Sequence, residues 1–321
     1  MIGIVEHTHI GGIGRIDPGT CTHVIACGIT FNQNGTMVKA GSQNSGIIQL
    51  SNGNLLTGGD DSTIRIWDIK TYENILTFEE HFARVTCLIE ISKNIIASGS
   101  FDTSIRLWNL NEKKCYLQLC EHLNWVLCLY ILKDYSLCSG GGDNLIIIWN
   151  VKKGISKKIL KGHSDLINCI SQLNNDNIIS SSDDKSIRIW DYINGNCIKV
   201  FNCNDNIISF TFFNNLFVFG SENLLFLKKK FDLEENENEF IKNCEIIQKN
   251  VNLTSNLLKL NDDILIYGNS EGKIYKRNIV ENKIIAEFEN IHEDNINNII
   301  MLKDGRLSSC SNDSLIKIWN I

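Results

Sequence analysis

The chain has 321 residues, of which 43% are hydrophobic and 21% are charged, and its formal net charge is −6. These proportions are typical of a soluble globular protein, and the length is enough for one large domain. The negative charge disfavours broad binding to a phosphate backbone. No signal peptide or apolar run of about 18 residues is evident, so we expect a cytoplasmic protein, with the nucleus as the open alternative.

Residues 1–34 have a pattern of their own and form the first predicted segment, with one possible extra strand. The segment contains five residues of types that bind zinc: His7, His9, Cys21, His23 and Cys27. Their spacing matches no zinc site that we recognise. We therefore predict no metal and no cofactor, and keep an enzyme or metal protein using this group as an alternative.

The remaining segment, residues 35–321, is dominated by a repeat of about 41 residues. Its clearest unit places a His, a hydroxyl, an acid and a Trp at fixed offsets. The four full sets are His81, Ser98, Asp102 and Trp108; His122, Ser139, Asp143 and Trp149; His163, Ser180, Asp184 and Trp190; and His292, Ser309, Asp313 and Trp319. An earlier copy has Thr57, Asp61 and Trp67, with Ala40 at the His position.

These four side chains can form one chain of hydrogen bonds, in which the carboxylate orients the imidazole and the hydroxyl links it to the indole N–H. The pattern resembles the structural tetrad of WD40 repeats, over residues 36–321. The resemblance implies an all-β fold, a seven-bladed WD40 β-propeller. Because catalytic sites are not repeated around a ring, we interpret the tetrads as structural and expect no enzyme activity.

The last predicted blade lacks its fourth strand, because the sequence ends at the third. A strand from the N-terminal part of the chain would complete that sheet and cover its open edge. Residues 36–40 and 24–30 are the two candidates, and the sequence does not decide between them.

Blades five and six depart from the repeat. Blade five has Cys203, Asn223 and Lys229 at the His, acid and Trp positions, so we expect apolar burial to hold it together. Blade six has Asn250, Glu271 and Arg277 at the same positions. The acidic stretch 232–239 follows blade five, and we interpret it as a solvated loop, with a partner-docking loop as the alternative.

Four residues outside the tetrads are predicted to bind a partner: Phe82, Arg84, Phe101 and Trp125. Aromatic and Arg side chains are typical of interface hot spots. The run from Trp125 to Cys128 is also similar to the β subunit of heterotrimeric G proteins, in which that Trp contacts partners. For Phe82 and Phe101, packing against neighbouring loops is the alternative. Acidic residues lie in comparable loops of other blades and would attract a basic segment: Asp60, Asp165, Asp183, Glu293 and Asp294.

We therefore predict a non-catalytic scaffold or adaptor, a monomeric propeller that forms part of a larger intracellular complex. It would bind a peptide or domain of one or more proteins at the channel mouth. A substrate-recognition or ubiquitin-binding subunit in protein turnover is the alternative. No membrane contact is expected, and nucleic acid is disfavoured by the charge.

Overall fold

A computed structural model describes residues 29–32, 35–39, 44–173, 175–213, 216–228 and 240–320, with backbone only for those before residue 46. All the regular elements in these ranges are β-strands. None of the described residues forms a helix long and apolar enough to cross a membrane.

After an N-terminal pair, the strands follow one another along the chain in six groups of four and a last group of three. The N-terminal pair is β1 (Ile29–Asn32) and β2 (Gly35–Lys39). Blade one contains β3 (Asn44–Gln49), β4 (Leu55–Gly59), β5 (Ile64–Trp67) and β6 (Asn74–Phe78). Blade two contains β7 (Val85–Ser92), β8 (Ile95–Ser100), β9 (Ile105–Asn109) and β10 (Lys114–Leu119). Blade three contains β11 (Val126–Ile131), β12 (Leu137–Gly141), β13 (Leu145–Asn150) and β14 (Ile155–Lys161).

The C-terminal half continues in the same way. Blade four contains β15 (Ile167–Gln172), β16 (Ile178–Ser182), β17 (Ser186–Asp191) and β18 (Asn196–Asn202). Blade five contains β19 (Ser209–Phe213), β20 (Leu216–Gly220), β21 (Leu224–Lys228) and β22 (Glu245–Lys249). Blade six contains β23 (Leu258–Lys259), β24 (Ile264–Gly268), β25 (Ile274–Asn278) and β26 (Lys283–Phe288). Blade seven contains β27 (Ile296–Met301), β28 (Leu307–Ser311) and β29 (Leu315–Trp319).

Each group forms one antiparallel sheet in which consecutive strands are neighbours. Six of the sheets have four strands, and the sheet of blade seven has five. The predicted seven-bladed propeller is confirmed.

Blade seven is completed by the N-terminal part of the chain. Strand β2 pairs antiparallel with β29, so that Thr36 lies opposite Ile318 and Lys39 opposite Leu315. Of the two candidates, the closing strand is therefore the one at residues 35–39. Strand β1 pairs with the outer side of β2 and adds a fifth strand to this sheet. It lies within the segment 1–34, for which the sequence allowed one extra strand.

The buried apolar side chains lie between the blades. Seven hydrophobic clusters are found among the described residues, and each joins two consecutive blades. One of them packs Ile47 and Trp67 of blade one against Leu302 and Ile316 of blade seven. The ring is therefore closed by apolar burial as well as by strand pairing.

Blade five is held by aromatic packing where the tetrad is missing. Phe201 stacks on Phe240 at a centroid distance of 4.2 Å, and Phe219 stacks on Phe226 at 4.9 Å. All four rings are buried. This agrees with the expectation that apolar burial replaces the tetrad. Lys229 and the stretch 232–239 lie outside the described residues.

Blade six uses a guanidinium in place of the indole. The buried Arg277 donates from Nη2 to the carbonyl of Ile247 at 2.6 Å and from Nη1 to Oε1 of Gln248 at 3.1 Å. Hydrogen bonds to a charged group of this kind are stronger than those between neutral groups. They join the third strand of blade six to β22, the fourth strand of blade five, so the guanidinium holds two neighbouring blades together.

Candidate partner-binding face

One end of the propeller gathers two kinds of loop. Because the four strands of a blade alternate in direction, the loop that enters each first strand and the hairpin between the second and third strands lie at the same end. We call this end the mouth face. All the tetrad His residues lie in entering loops, and all the tetrad Asp residues lie in hairpins.

The tetrads of blades two, three and four are complete. In blade four, Nδ1 of His163 is 2.7 Å from the carboxylate of Asp184, and Nε2 is 2.7 Å from Oγ of Ser180. The indole of Trp190 donates to the same Oγ at 2.8 Å. The corresponding atoms of the other two tetrads lie 2.6–3.0 Å apart.

Blades one and seven depart from this arrangement. In blade one, Trp67 donates to Thr57, but Asp61 pairs with Arg65 at 2.6 Å. In blade seven, His292 contacts Asp313 and Ser309, yet the buried indole N–H of Trp319 has no partner among the described residues. The link from the indole to the hydroxyl is therefore not formed in blade seven among the described residues.

The pKa shifts in blades four and seven indicate how the tetrad protons are arranged there. Burial lowers the pKa of His163 and His292, although their Asp partners oppose the shift. Burial would raise the pKa of Asp184, but hydrogen bonds from His163 and Ser186 outweigh it and hold that pKa well below its ordinary value. A neutral imidazole next to a carboxylate donates from Nδ1 and accepts at Nε2 from the Ser hydroxyl. We call each tetrad whose His contacts both the Asp and the Ser a clasp; clasps occur in blades two, three, four and seven.

The tetrad Asp also fixes the entering loop. The backbone N–H of Phe82 donates to Asp102 at 3.0 Å, and that of Leu123 donates to Asp143 at 2.9 Å. The residue after each His is thus held with its side chain outside the clasp. Phe82 is 85% exposed and Leu123 is 84% exposed. The clasp presents two large apolar side chains to solvent on neighbouring blades.

A row of stacked side chains crosses blades one to three. Nε of Arg84 lies 2.9 Å from the carboxylate of Asp60, and its guanidinium lies 5.7 Å from the ring centroid of Phe101. Phe101 stacks on Trp125 at 4.2 Å with an interplanar angle of 11°. Such cation–π and stacking contacts make the row rigid.

The row changes the roles of the predicted binding residues. Arg84 is engaged by Asp60, and Phe101 packs against Trp125, as the alternative for Phe101 had it. Trp125 keeps 40% exposure. Phe82 is far more exposed than Phe101, and the guanidinium of Arg106 lies over its ring at 5.8 Å.

Sequence reasoning missed Leu123. It stands 41 residues after Phe82, at the same position of the repeat, so this shift alone could have found it. We call Phe82, Phe101, Leu123 and Trp125 the mouth patch. Phe82 and Leu123 are almost fully exposed, and Phe101 and Trp125 stack on each other at the same end of the propeller.

Acidic side chains occupy the same end on other blades. Asp165 lies in the entering loop of blade four, and Glu293 and Asp294 lie in that of blade seven; all three are exposed. Burial raises the pKa of Asp183, and the charges of Asp165 and Asp184 add to the shift. Asp60 contributes less than expected to this field, since Arg84 pairs with it.

The candidate metal residues of the N-terminal segment, His7, His9, Cys21, His23 and Cys27, lie outside the described residues, as does the stretch 232–239. In the part of the chain that is described, no group of three or more His, Cys, Asp and Glu side chains is placed to hold a metal ion.

Comparison with known families gives one match. The family model described as WD domain, G-beta repeat matches residues 19–68, 72–109, 113–150, 154–191 and 283–320, which together cover more than half of the chain. The longest unmatched interval, residues 192–282, contains blade five and the first three strands of blade six, where the tetrads are missing. No curated protein matches the chain at a significant level.

Proposed function

Because the chain belongs to the WD domain, G-beta repeat family, we propose that it is a non-catalytic scaffold or adaptor that binds a protein partner on its mouth face. Propellers of this family generally bind proteins or peptides. We choose the mouth face because the mouth patch lies on it. We assign the partner's main contacts to Phe82 and Leu123, with the exposed edge of Trp125 beside them.

The observation that carries this proposal is the exposure of Phe82 and Leu123 at equivalent positions of adjacent blades. Single exposed apolar residues are ordinary on protein surfaces, but two on adjacent blades, at the same end as a stacked aromatic pair, are typical of an interaction site. The loops are held by buried clasps, so little conformational entropy is lost when a partner binds.

Affinity capture with surface variants tests the assignment. The test variant is Phe82→Ala with Leu123→Ala. The matched control is Ile193→Ala with Val280→Ala, because these two side chains are 68% and 66% exposed in loops at the opposite end. Each pair removes two large exposed apolar side chains and no hydrogen bond of a clasp.

We expect specific partners to be reduced about tenfold or more with the test variant, since interface anchors contribute more than about 1 kcal/mol each. Capture by the control variant should equal wild type. Equal melting temperatures of all three proteins would show that folding is not the cause. Loss with the control, or an unchanged partner set with the test variant, contradicts the assignment.

A further inference from the structure

The two ends of the propeller differ in charge. In the described loops of the mouth face, three residues are cationic: Arg84, Lys185 and Lys273. Arg84 is paired with Asp60, and Lys273 with Glu287 and Glu289. Apart from residues at the tetrad acid position, carboxylates occur in the described mouth-face loops of every blade except blade six. The loops at the opposite end carry both signs, with Lys152, Lys153 and Lys303 balancing residues such as Asp263 and Glu281.

The acidic groups flank the mouth patch. On one side, blade four presents Asp165 and Asp183 beside blade three. On the other side, blade seven presents Glu293 and Asp294 beyond blade one. Neither Glu293 nor Asp294 makes an ion pair with a described residue, so their charge acts on the solvent. An apolar centre is thus set between two negative regions.

The residue after the tetrad His is also apolar at the centre and polar or acidic at the flanks. It is Phe82 in blade two and Leu123 in blade three, but Ser164 in blade four and Glu293 in blade seven. In each case its backbone N–H is bonded to the tetrad Asp at 2.9–3.1 Å. The same rigid position therefore presents apolar side chains at the centre and polar or acidic side chains at the flanks.

From this arrangement we infer that the partner docks through a basic amphipathic segment, with large apolar side chains on the mouth patch and Lys or Arg residues over the acidic flanks. The inference rests on the proposed function and adds the chemistry of the partner. An acidic or neutral segment would meet like charge, or no attraction, on both sides of the patch. Complementary charge also favours encounter and makes binding sensitive to salt.

The probe is a random library of 12-residue displayed peptides, selected on immobilised wild-type protein at about 0.15 M salt. Enriched peptides should combine a net positive charge with at least one large apolar residue. They should lose binding to Phe82→Ala with Leu123→Ala. Enrichment of neutral or acidic sequences, or recovery of no specific peptide, would overturn the inference.

Charge variants separate electrostatics from apolar contact. The test pair is Asp165→Lys with Glu293→Lys, one on each flank, and the control pair is Asp263→Lys with Glu281→Lys at the opposite end. Both pairs change the net charge by the same amount. We expect the selected peptides to bind the test pair about tenfold more weakly and the control pair as tightly as wild type, because rim charges act over about one Debye length. Equal weakening by both pairs would show a non-specific effect and overturn the inference.

These results are distinguishable from failure of the proposed function. If captured partners depend on Phe82 and Leu123 but bind the two charge variants equally well, the docking face stands and the basic character of the partner is wrong. If partners do not depend on Phe82 and Leu123, the docking face itself is wrong.

Discussion

Replacement of a tetrad Asp tests the clasp on which the mouth face depends. The Asp184 carboxylate accepts hydrogen bonds from Nδ1 of His163 at 2.7 Å, from Oγ and N of Ser186 at 2.6 and 2.9 Å, and from the backbone N–H of Ser164 at 3.1 Å. Asp184→Ala leaves all four donors without this acceptor. The Ser186 hydroxyl can rotate and Ser164 is exposed to water, so two buried N–H groups bear the cost.

Each buried donor left unsatisfied costs about 1–3 kcal/mol. Because the ring of His163 can change tautomer and use the nearby Ser186 hydroxyl, we place the total loss at about 2–4 kcal/mol. For a chain of this size, that corresponds to a fall in melting temperature of roughly 3–6 °C. Urea unfolding followed by fluorescence and thermal unfolding followed by circular dichroism would both measure it.

The matched control is Asp61→Ala in blade one. Its carboxylate occupies the same position but is bonded to Arg65 and Thr63, and no imidazole contacts it among the described residues. Since Arg65 can turn to water, the loss should be about 1 kcal/mol or less. Equal destabilisation by the two substitutions, or a loss below about 1 kcal/mol for Asp184→Ala, would refute the role assigned to the tetrad.

Three further predictions follow from individual residues. Trp149→Phe should destabilise the protein by about 1 kcal/mol more than Trp319→Phe in urea unfolding, because Trp149 donates to Ser139 and Trp319 has no such bond; equal losses would contradict this. Thr103→Gly should raise the stability by about 0.5–1 kcal/mol, because this β-branched residue is held at φ 69, a conformation that glycine adopts freely; a lower melting temperature would count against it. Stability should fall as the pH drops below about 6.5, because the pKa of His163 and His292 is lowered in the folded protein and the unfolded chain therefore binds protons first. The lowered pKa of Asp184 and Asp313 extends this loss of stability below about pH 4. A flat melting temperature from pH 7 to pH 5 would be inconsistent with neutral buried imidazoles.

The repeat offsets were enough to predict the blades, because a spacing of 41 residues fixes which residues share a position in blades one to four, and the same offsets within the unit recur in blade seven. They could not predict which side chains of neighbouring blades contact one another. Arg84 pairs with Asp60 of the preceding blade, and Phe101 stacks on Trp125 of the following one. Both contacts depend on the separation between blades, which the sequence does not state.

The repeat pattern also could not predict the hydrogen bonding of one indole or the order of the N-terminal strands. Trp319 has the expected offset from Ser309, yet its indole packs against Phe288 and leaves the N–H without a described partner. Two N-terminal segments had strand-like composition, and only pairing with β29 shows that β2 closes blade seven while β1 adds a further strand outside it. Leu123, by contrast, could have been found from the repeat alone.

The most direct test of the docking face is photo-crosslinking in the native cell. A photo-reactive benzoylphenylalanine would replace Leu123 in one protein and Val280 in another, because both side chains are exposed but lie at opposite ends of the propeller. We expect a discrete adduct with a partner protein at position 123 and none at position 280. Absence of an adduct at position 123, or the same adducts at both positions, would contradict a binding site on the mouth face.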